Sequence, residues 1–471
     1  MPTKSRQALI LIHGIGEQQP METLRGFVDA ILPPRGTEGT RYYNKPDLLS
    51  DNLELRRLVS AGGRNERTDF YEFYWAHLMP TAAWDRLISW YSVLMWRRWR
   101  DVSPKVRSLW LVSWLITIAA LGVGLFYAWR FLHGDPIMAG WTGKRPWLII
   151  AVGMLIIAVC MLISTVLRSY AGDAAIYLRP SPRNIETRQK IRSAGLKLLD
   201  RIVASKRYDR IIIVGHSLGS VIGYDILTFA WQRYNETALA DISAKWQKGE
   251  FPGRKSTTAI RRAEAVAKDI RVGPAHSPEQ MRERAAKWQS EIREIQAERK
   301  ARGDGWLVTD FVTLGSPLAH GAMLLARNRA DFDRRIRERE LPCCPPVWEK
   351  DGKFSFKYDG QDNQGRPQHT IALHDAAVFA VVNWTNLYFP CCCVVKGDVV
   401  GGPIAPLFGP GVRDIDLKTH ICKGFLAHTH YWQSNDKDTV QAPLPCLREA
   451  LDLGRRNRCP AALTGSATKC N

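Results

Sequence analysis

The chain has 471 residues, with 66 Lys and Arg against 46 Asp and Glu, and a formal net charge of +20. Apolar content of 45% beside 24% charged residues is that of globular protein, which excludes a fibrous repeat and wholesale disorder. A mean hydropathy of −0.22 excludes a polytopic transporter. No zinc-finger spacing, basic zipper or aromatic RNA-binding signature accompanies the basic charge, which leaves an anionic membrane surface as its favoured partner and argues against nucleic acid.

In chain order, QALILIHG (7–14) reads as a buried strand running into a tight loop. Its apolar run is too short for a signal peptide. The aromatic-rich, partly alternating segment Asp69–His77 reads as a second strand. Two uncharged runs of 21 residues follow, Leu109–Trp129 and Trp147–Leu167. At about 1.5 Å per residue in a helix, each spans a bilayer's hydrocarbon core. Ten of the 17 tryptophans fall between Trp75 and Trp147, the enrichment expected at a membrane interface.

Arg97, Arg98, Arg100, Lys105 and Arg107 precede the spans, and Arg168, Arg179 and Arg183 follow them. Only Arg130, Lys144 and Arg145 lie between. The asymmetry predicts a helical hairpin in the inner, cytoplasmic membrane, with both termini and the remaining domain in the cytoplasm. In that reducing compartment the ten cysteines, clustered at Cys343–Cys344 and Cys391–Cys393, are expected to be free thiols.

After the hairpin, Ile191, Leu198, Leu199 and Ile202 predict a helix over 185–206. Arg210–Val214 (RIIIV) predicts a buried parallel strand and Ser220–Trp231 a helix. Residues 241–302 hold 15 Lys/Arg against 9 Asp/Glu. Within them Ser277-Pro278-Glu279 resembles a helix start, and Met281, Ala285, Trp288, Ile292 and Ile295 form one apolar stripe. That stripe suits a helix packed on its own domain, or a lid at a membrane surface. Trp306–Leu314 predicts a further strand before Gly315-Ser316-Pro317, residues 327–370 a polar insert, and 378–400 a return to apolar runs.

Strands alternating with helices predict an α/β fold with a mostly parallel sheet and helices on both faces. The segments are 1–84, 185–234, 304–326 and 371–433 for the core, 85–184 for the hairpin and its flanks, 235–303 for a basic helical insert and possible lid, 327–370 for the polar insert, and 434–471 for a tail.

Gly215-His216-Ser217-Leu218-Gly219 matches G-x-S-x-G. Between a buried strand and a helix this pattern places the serine on a strained turn with its hydroxyl exposed, and Gly215 and Gly219 permit close backbone approach. Here the chain resembles the α/β-hydrolase superfamily, in particular its lipase- and esterase-like serine hydrolases, over about 250 residues. Such proteins carry an HG motif after an early strand, matched by His13-Gly14. The resemblance implies Ser217 as nucleophile, the N–H groups of Ile15 and Leu218 as the oxyanion hole, and His13 as a loop-ordering side chain.

It also implies the order Ser, acid, His. Asp398 in CCCVVKGDVVGG resembles the acid loop of lipases, whereas Asp375, Asp414 and Asp416 follow no convincing strand. Spacing alone leaves His428 and His430 both open as the base. A lipase-like His-x-x-Tyr followed by an aromatic, here His428 to Tyr431-Trp432, favours His428, with His430 as the alternative. His420, Cys422, His428 and His430 match no familiar zinc spacing. Without a phosphate loop or dinucleotide fingerprint, neither metal nor cofactor is expected.

The expected activity is hydrolysis of carboxylic esters, lipid or acyl esters above all, by a membrane-anchored enzyme. A thioesterase or acyltransferase on the same triad, and a non-catalytic membrane interaction platform, are the alternatives.

Overall fold

The computed structural model describes residues 6–15, 19–32, 40–50, 52, 54–61, 67–79, 96–103, 107–108, 110–111, 114–115, 118, 176–178, 182–250, 258–271, 277–301, 303–348, 352–390, 397–417, 424–432 and 442–454. They fall into two compact units. The larger takes in residues 1–14, 18–77 and 189–471, the smaller 15–17 and 78–188.

In chain order the elements are β1 (Arg6–Ile12), α1 (Glu22–Ile31), β2 (Tyr42–Pro46), β3 (Arg56–Ser60), β4 (Arg67–Phe73), α2 (Pro182–Ala204), β5 (Arg210–His216), α3 (Leu218–Gln247), α4 (Thr258–Arg271), α5 (Pro278–Ala301), β6 (Val308–Leu314), α6 (Arg329–Arg337), β7 (Ser355–Gln361), β8 (Pro367–Leu373), β9 (Asn383–Tyr388), β10 (Arg413–Asp416) and α7 (Pro443–Leu451). Eight strands form one sheet in the order β10-β9-β6-β5-β1-β4-β3-β2, and β7 and β8 pair as a separate antiparallel hairpin. From β10 to β4 every pairing is parallel. The pair β2–β3 then turns antiparallel at the edge. The chain is therefore α/β with a mostly parallel, mixed sheet.

Period-two alternation sorts the apolar side chains onto two faces. Leu9, Leu11, Ile212, Val214, Val312 and Leu314 share a core with Leu24, Phe27, Val28 and Ile31 of α1 and with Leu447 and Leu451 of α7. On the opposite face α3 lies so close that a Cβ on Gly223 would approach Phe311, Ile12 and Ile213 within 3.5 Å. The central strands are apolar along their length because both faces are covered. From β1 the chain builds β2, β3 and β4 on one side, then crosses to β5 on the other. The order reverses between β1 and β5, and the crevice at the carboxyl ends of two such strands is where open α/β sheets bind ligands.

Several elements differ from their sequence reading. The helix expected over 220–231 runs from Leu218 to Gln247, well into the stretch read as an insert. In its distal half only Ile242 and Trp246 are buried, with Trp246 against Tyr358 of the β7–β8 hairpin at 6.0 Å. The basic helix α5 packs on the sheet side of the fold. Its Gln289 amide donates to Trp384 O and Thr385 Oγ1, each at 3.2 Å, and Ala285, Trp288, Ile292 and Ile295 are buried while Met281 is exposed.

Within the smaller unit, Trp96 meets Trp114 edge-on at 5.8 Å, Trp99 meets Trp110 at 5.9 Å, and the Arg107 guanidinium lies over Trp99. Most of the predicted span 109–129 and all of 147–167 lie outside the described residues. Among the described residues no helix is long and apolar enough to cross a membrane.

Candidate active site

The site grows from two adjacent strand ends. β5 is buried throughout and delivers Ser217 to the first turn of α3. Ser217 has φ 52° and ψ −128°, a region that side-chain-bearing residues rarely occupy and that typically costs about 1–3 kcal/mol. Two backbone bonds hold the turn: Ser217 N–H donates to Leu314 O of β6 at 2.9 Å, and Ser220 N–H to Ser217 O at 3.0 Å. A Cβ on Gly219 would stand 2.3 Å from Ile12 O and 2.4 Å from His13 O, so only glycine lets α3 begin against the end of β1. Leu218 opens α3, and its N–H is one of the helix's amino-terminal donors without an intrahelical acceptor.

β1 ends in His13-Gly14. The His13 ring stacks on Trp75, with centroids 5.0 Å apart and planes 7° apart. Its Nδ1–H donates to Gly14 O at 2.8 Å and its Nε2 accepts Trp75 N–H at 3.3 Å. Trp75 Nε1–H in turn donates to His13 O at 3.0 Å. Burial pushes the imidazole down to about 4, against a smaller upward pull from the Gly14 bond. Both ring nitrogens are thus committed to ordering backbone. Gly14 passes so close to the Ser217 turn that a Cβ there would sit 3.0 Å from Ser217 Cβ. Ile15 follows in the chain and belongs to the smaller unit; Gly16–Gln18 lie outside the described residues. Beyond them, Glu72 of β4 accepts Met21 N–H at 2.7 Å.

Asp398 and His428 meet although 30 residues separate them: Nδ1–H of His428 donates to Asp398 Oδ2 at 2.8 Å. Oδ1 accepts Val400 N–H at 2.8 Å, and the Tyr431 hydroxyl donates to Oδ2 at 2.7 Å. Burial would raise the carboxyl's pKa, but the bond and charge of His428, the Tyr431 bond and the Gly401 N–H outweigh it and hold Asp398 at about 2. His428 Nε2 is buried and has no hydrogen-bond partner among the described residues.

His216, immediately before Ser217, ties the two halves together. Its Nε2–H donates to His428 O at 2.9 Å, and its ring lies 5.1 Å from that of His428 and edge-on to Trp432 at 4.9 Å. Burial first, then the neighbouring His428, lowers its pKa to about 3. The backbone of His428 is therefore anchored one residue from the candidate nucleophile.

The other candidates are placed elsewhere. His430 bonds Thr429 Oγ1 at 3.3 Å, so Asp398 is paired with His428. Asp375 is exposed. Asp414 accepts Ile404 N–H and Ala405 N–H at 3.0 and 2.9 Å, together with the Asn386 amide at 2.7 Å. Asp416 pairs with Arg282 at 2.6 Å. His420, Cys422 and Cys391–Cys393 lie outside the described residues. Sequence reasoning overlooked the ties made by His216 and Tyr431. Tyr431 was visible only as the aromatic end of His-x-x-Tyr, and nothing in the pattern directed its hydroxyl at the acid.

A carboxylate–imidazole pair whose Nε2 has no partner among the described residues, a serine on a strained turn, and helix-terminal N–H groups are the kinds of parts that move a proton and stabilise an oxyanion. No family model matches the chain, and no curated protein or solved structure matches it.

Proposed function

We propose that the chain is a serine hydrolase of the α/β-hydrolase type that cleaves carboxylic esters through Ser217, His428 and Asp398. The observation that carries this reading is the Asp398–His428 bond at 2.8 Å, which leaves Nε2 without a partner among the described residues, in a loop tied by His216 to the Ser217 turn. Binding alone calls for no such combination. The position at the strand-order reversal supports the same reading.

In the proposed reaction, Ser217 Oγ attacks the ester carbonyl while its proton passes to His428 Nε2. The Leu218 N–H at the start of α3 receives the oxyanion, a donor worth about 2.7–4 kcal/mol in comparable sites. The ester C–O bond breaks, and the leaving alkoxide takes the proton from Nε2. Water then gives its proton to Nε2 as it attacks the acyl-enzyme, and Ser217 recovers a proton as the acid leaves. Asp398 orients the ring and stays ionised. The steps call on no cofactor or metal.

Lipid or acyl esters are the substrates proposed, at the cytoplasmic face of the inner membrane, with the hairpin as anchor. Support comes from the sequence of the two spans and from exposed apolar side chains in the smaller unit. Trp96 is 80% exposed, and Leu111, Leu115 and Ile118, which share one helical face by spacing, are 50–71% exposed.

A fluorophosphonate probe tests the enzyme reading. The wild-type protein is expected to label covalently and Ser217→Ala to lose labelling entirely. A folded wild-type protein that does not label is instead the non-catalytic platform. A panel of p-nitrophenyl esters of graded chain length then sets the acyl preference.

A further inference from the structure

Tyr431 follows His428 by three residues and is fully buried. Its hydroxyl reaches the same carboxylate oxygen, Asp398 Oδ2, that receives His428 Nδ1–H. The hydroxyl also accepts Phe389 N–H at 3.3 Å, so its single proton is directed at the carboxylate. The ring is clamped against Phe389 at 4.8 Å and stands at 90° to His428. Two glycines make the arrangement possible. A Cβ on Gly315 would sit 2.6 Å from the tyrosine ring, and one on Gly401 would sit 2.6 Å from Oδ2 and 3.0 Å from the hydroxyl. The chain thus leaves room for a bulky, fixed donor beside an acid that His428 already satisfies in part.

We propose that Tyr431 is a positioning residue for the catalytic histidine. Its hydroxyl fixes the Asp398 carboxylate against His428 Nδ1 and shares the negative charge on Oδ2. When the Ser217 Oγ–H bond breaks and Nε2–H forms, Nδ1–H stays on the imidazole and the phenolic proton stays on Tyr431. An acid so shared is a weaker acceptor than a bare one, and it holds Nδ1–H of His428 in place while Nε2 takes and returns the proton. The inference deepens the hydrolase reading and rests on it.

The titratable groups packed around this pair are few. His216 and His13 come from the ends of β5 and β1, and burial lowers them to about 3 and about 4, so both are neutral over the working range. His320 holds Val399 O at 3.0 Å, and His430 is on the same turn as Tyr431.

The test is the pH profile of fluorophosphonate labelling in the full-length protein, wild type against Tyr431→Phe, which keeps the ring and removes the donor. A hydrogen bond to an ionised group is worth on the order of one to two pKa units. The variant is expected to label about tenfold more slowly, with the acid limb moved up by about one pH unit. An unmoved limb overturns the proposal, including where the melting temperature falls, because the hydroxyl is then merely structural.

Should the Phe variant fail to fold, 3,5-difluorotyrosine at position 431, a stronger donor, is expected to move the limb down; an unmoved limb again overturns the proposal. If the wild-type protein does not label at all, the hydrolase reading is what fails. The downfield Nδ1–H resonance of His428 then decides the role of Tyr431 alone: a shift in Tyr431→Phe supports it and an unmoved line overturns it.

Discussion

Glu72 and Asp398 are both buried carboxyls near the site, yet their environments drive them in opposite directions. Asp398 has donors enough to stay ionised, so its contribution to stability is present above the ordinary 3.8 and is lost as pH falls toward about 2. Glu72 has Met21 N–H on one oxygen and no partner among the described residues on the other, and burial raises it from 4.5 to about 7. Between those values the unfolded chain has released a proton that the folded chain keeps. Stability therefore falls as pH rises from about 4.5 to 7 and stays reduced above, by about 3 kcal/mol in full. Glu72→Gln keeps an acceptor for Met21 N–H and removes the titration. Urea denaturation at pH 5 and pH 8 is expected to show that difference shrinking in the variant; an undiminished difference places its source elsewhere.

Elements differ in how plainly the sequence announces them, for physical reasons. β1, β5 and β6 are short apolar runs because α1, α3 and α7 cover them on both sides, and such runs stand out. The edge strand β2 and its neighbour β3 carry Tyr42–Pro46 and Arg56–Ser60, whose mixed polarity suits the half-solvated end of the sheet and offers no apolar run. The distal half of α3 hides for a similar reason, since two buried residues in sixteen give no stripe.

The candidate triad was legible in Ser217, but Asp398 and His428 were reached through resemblance. Neither strand periodicity nor spacing could indicate that a loop ten residues beyond β9 returns to a histidine 30 residues on. In α5 the apolar stripe was legible and its partner was not: Trp288 is buried beside Phe354 at 6.0 Å. Trp288→Ala is expected to cost about 3–5 kcal/mol in chemical denaturation, and Met281→Ala, at the exposed end of the same stripe, within about 0.5 kcal/mol. Equal losses would contradict this packing.

At the scale of the whole molecule, the net charge of +20 is unevenly distributed along the sequence. Eight basic residues flank the predicted spans, and residues 241–302 add a net +6, a pattern that suits a cytoplasmic face held against anionic lipid. Deleting 105–169 is expected to move the protein from the membrane to the soluble fraction. Retention on alkaline-washed membranes after that deletion would remove the hairpin from its role as anchor. Labelling of the shortened protein reports in the same experiment whether the Ser217 centre forms without it.

The strand that leads into Ser217 is also fastened to the end of α7 and the residues that follow it. Arg210 donates to Asp452 O and Leu451 O at 2.8 and 3.2 Å and pairs with Asp310 at 2.7 Å. Gln7 reaches Leu453 O across 446 positions of sequence. During synthesis β1 is made well before the Leu453 carbonyl that its Gln7 meets. Pairings so distant in sequence close slowly. Until residues 451–453 clear the ribosome, the Arg210 guanidinium lacks two of its acceptors. A chain cut short before that point leaves β5, the strand that leads into Ser217, without those two acceptors.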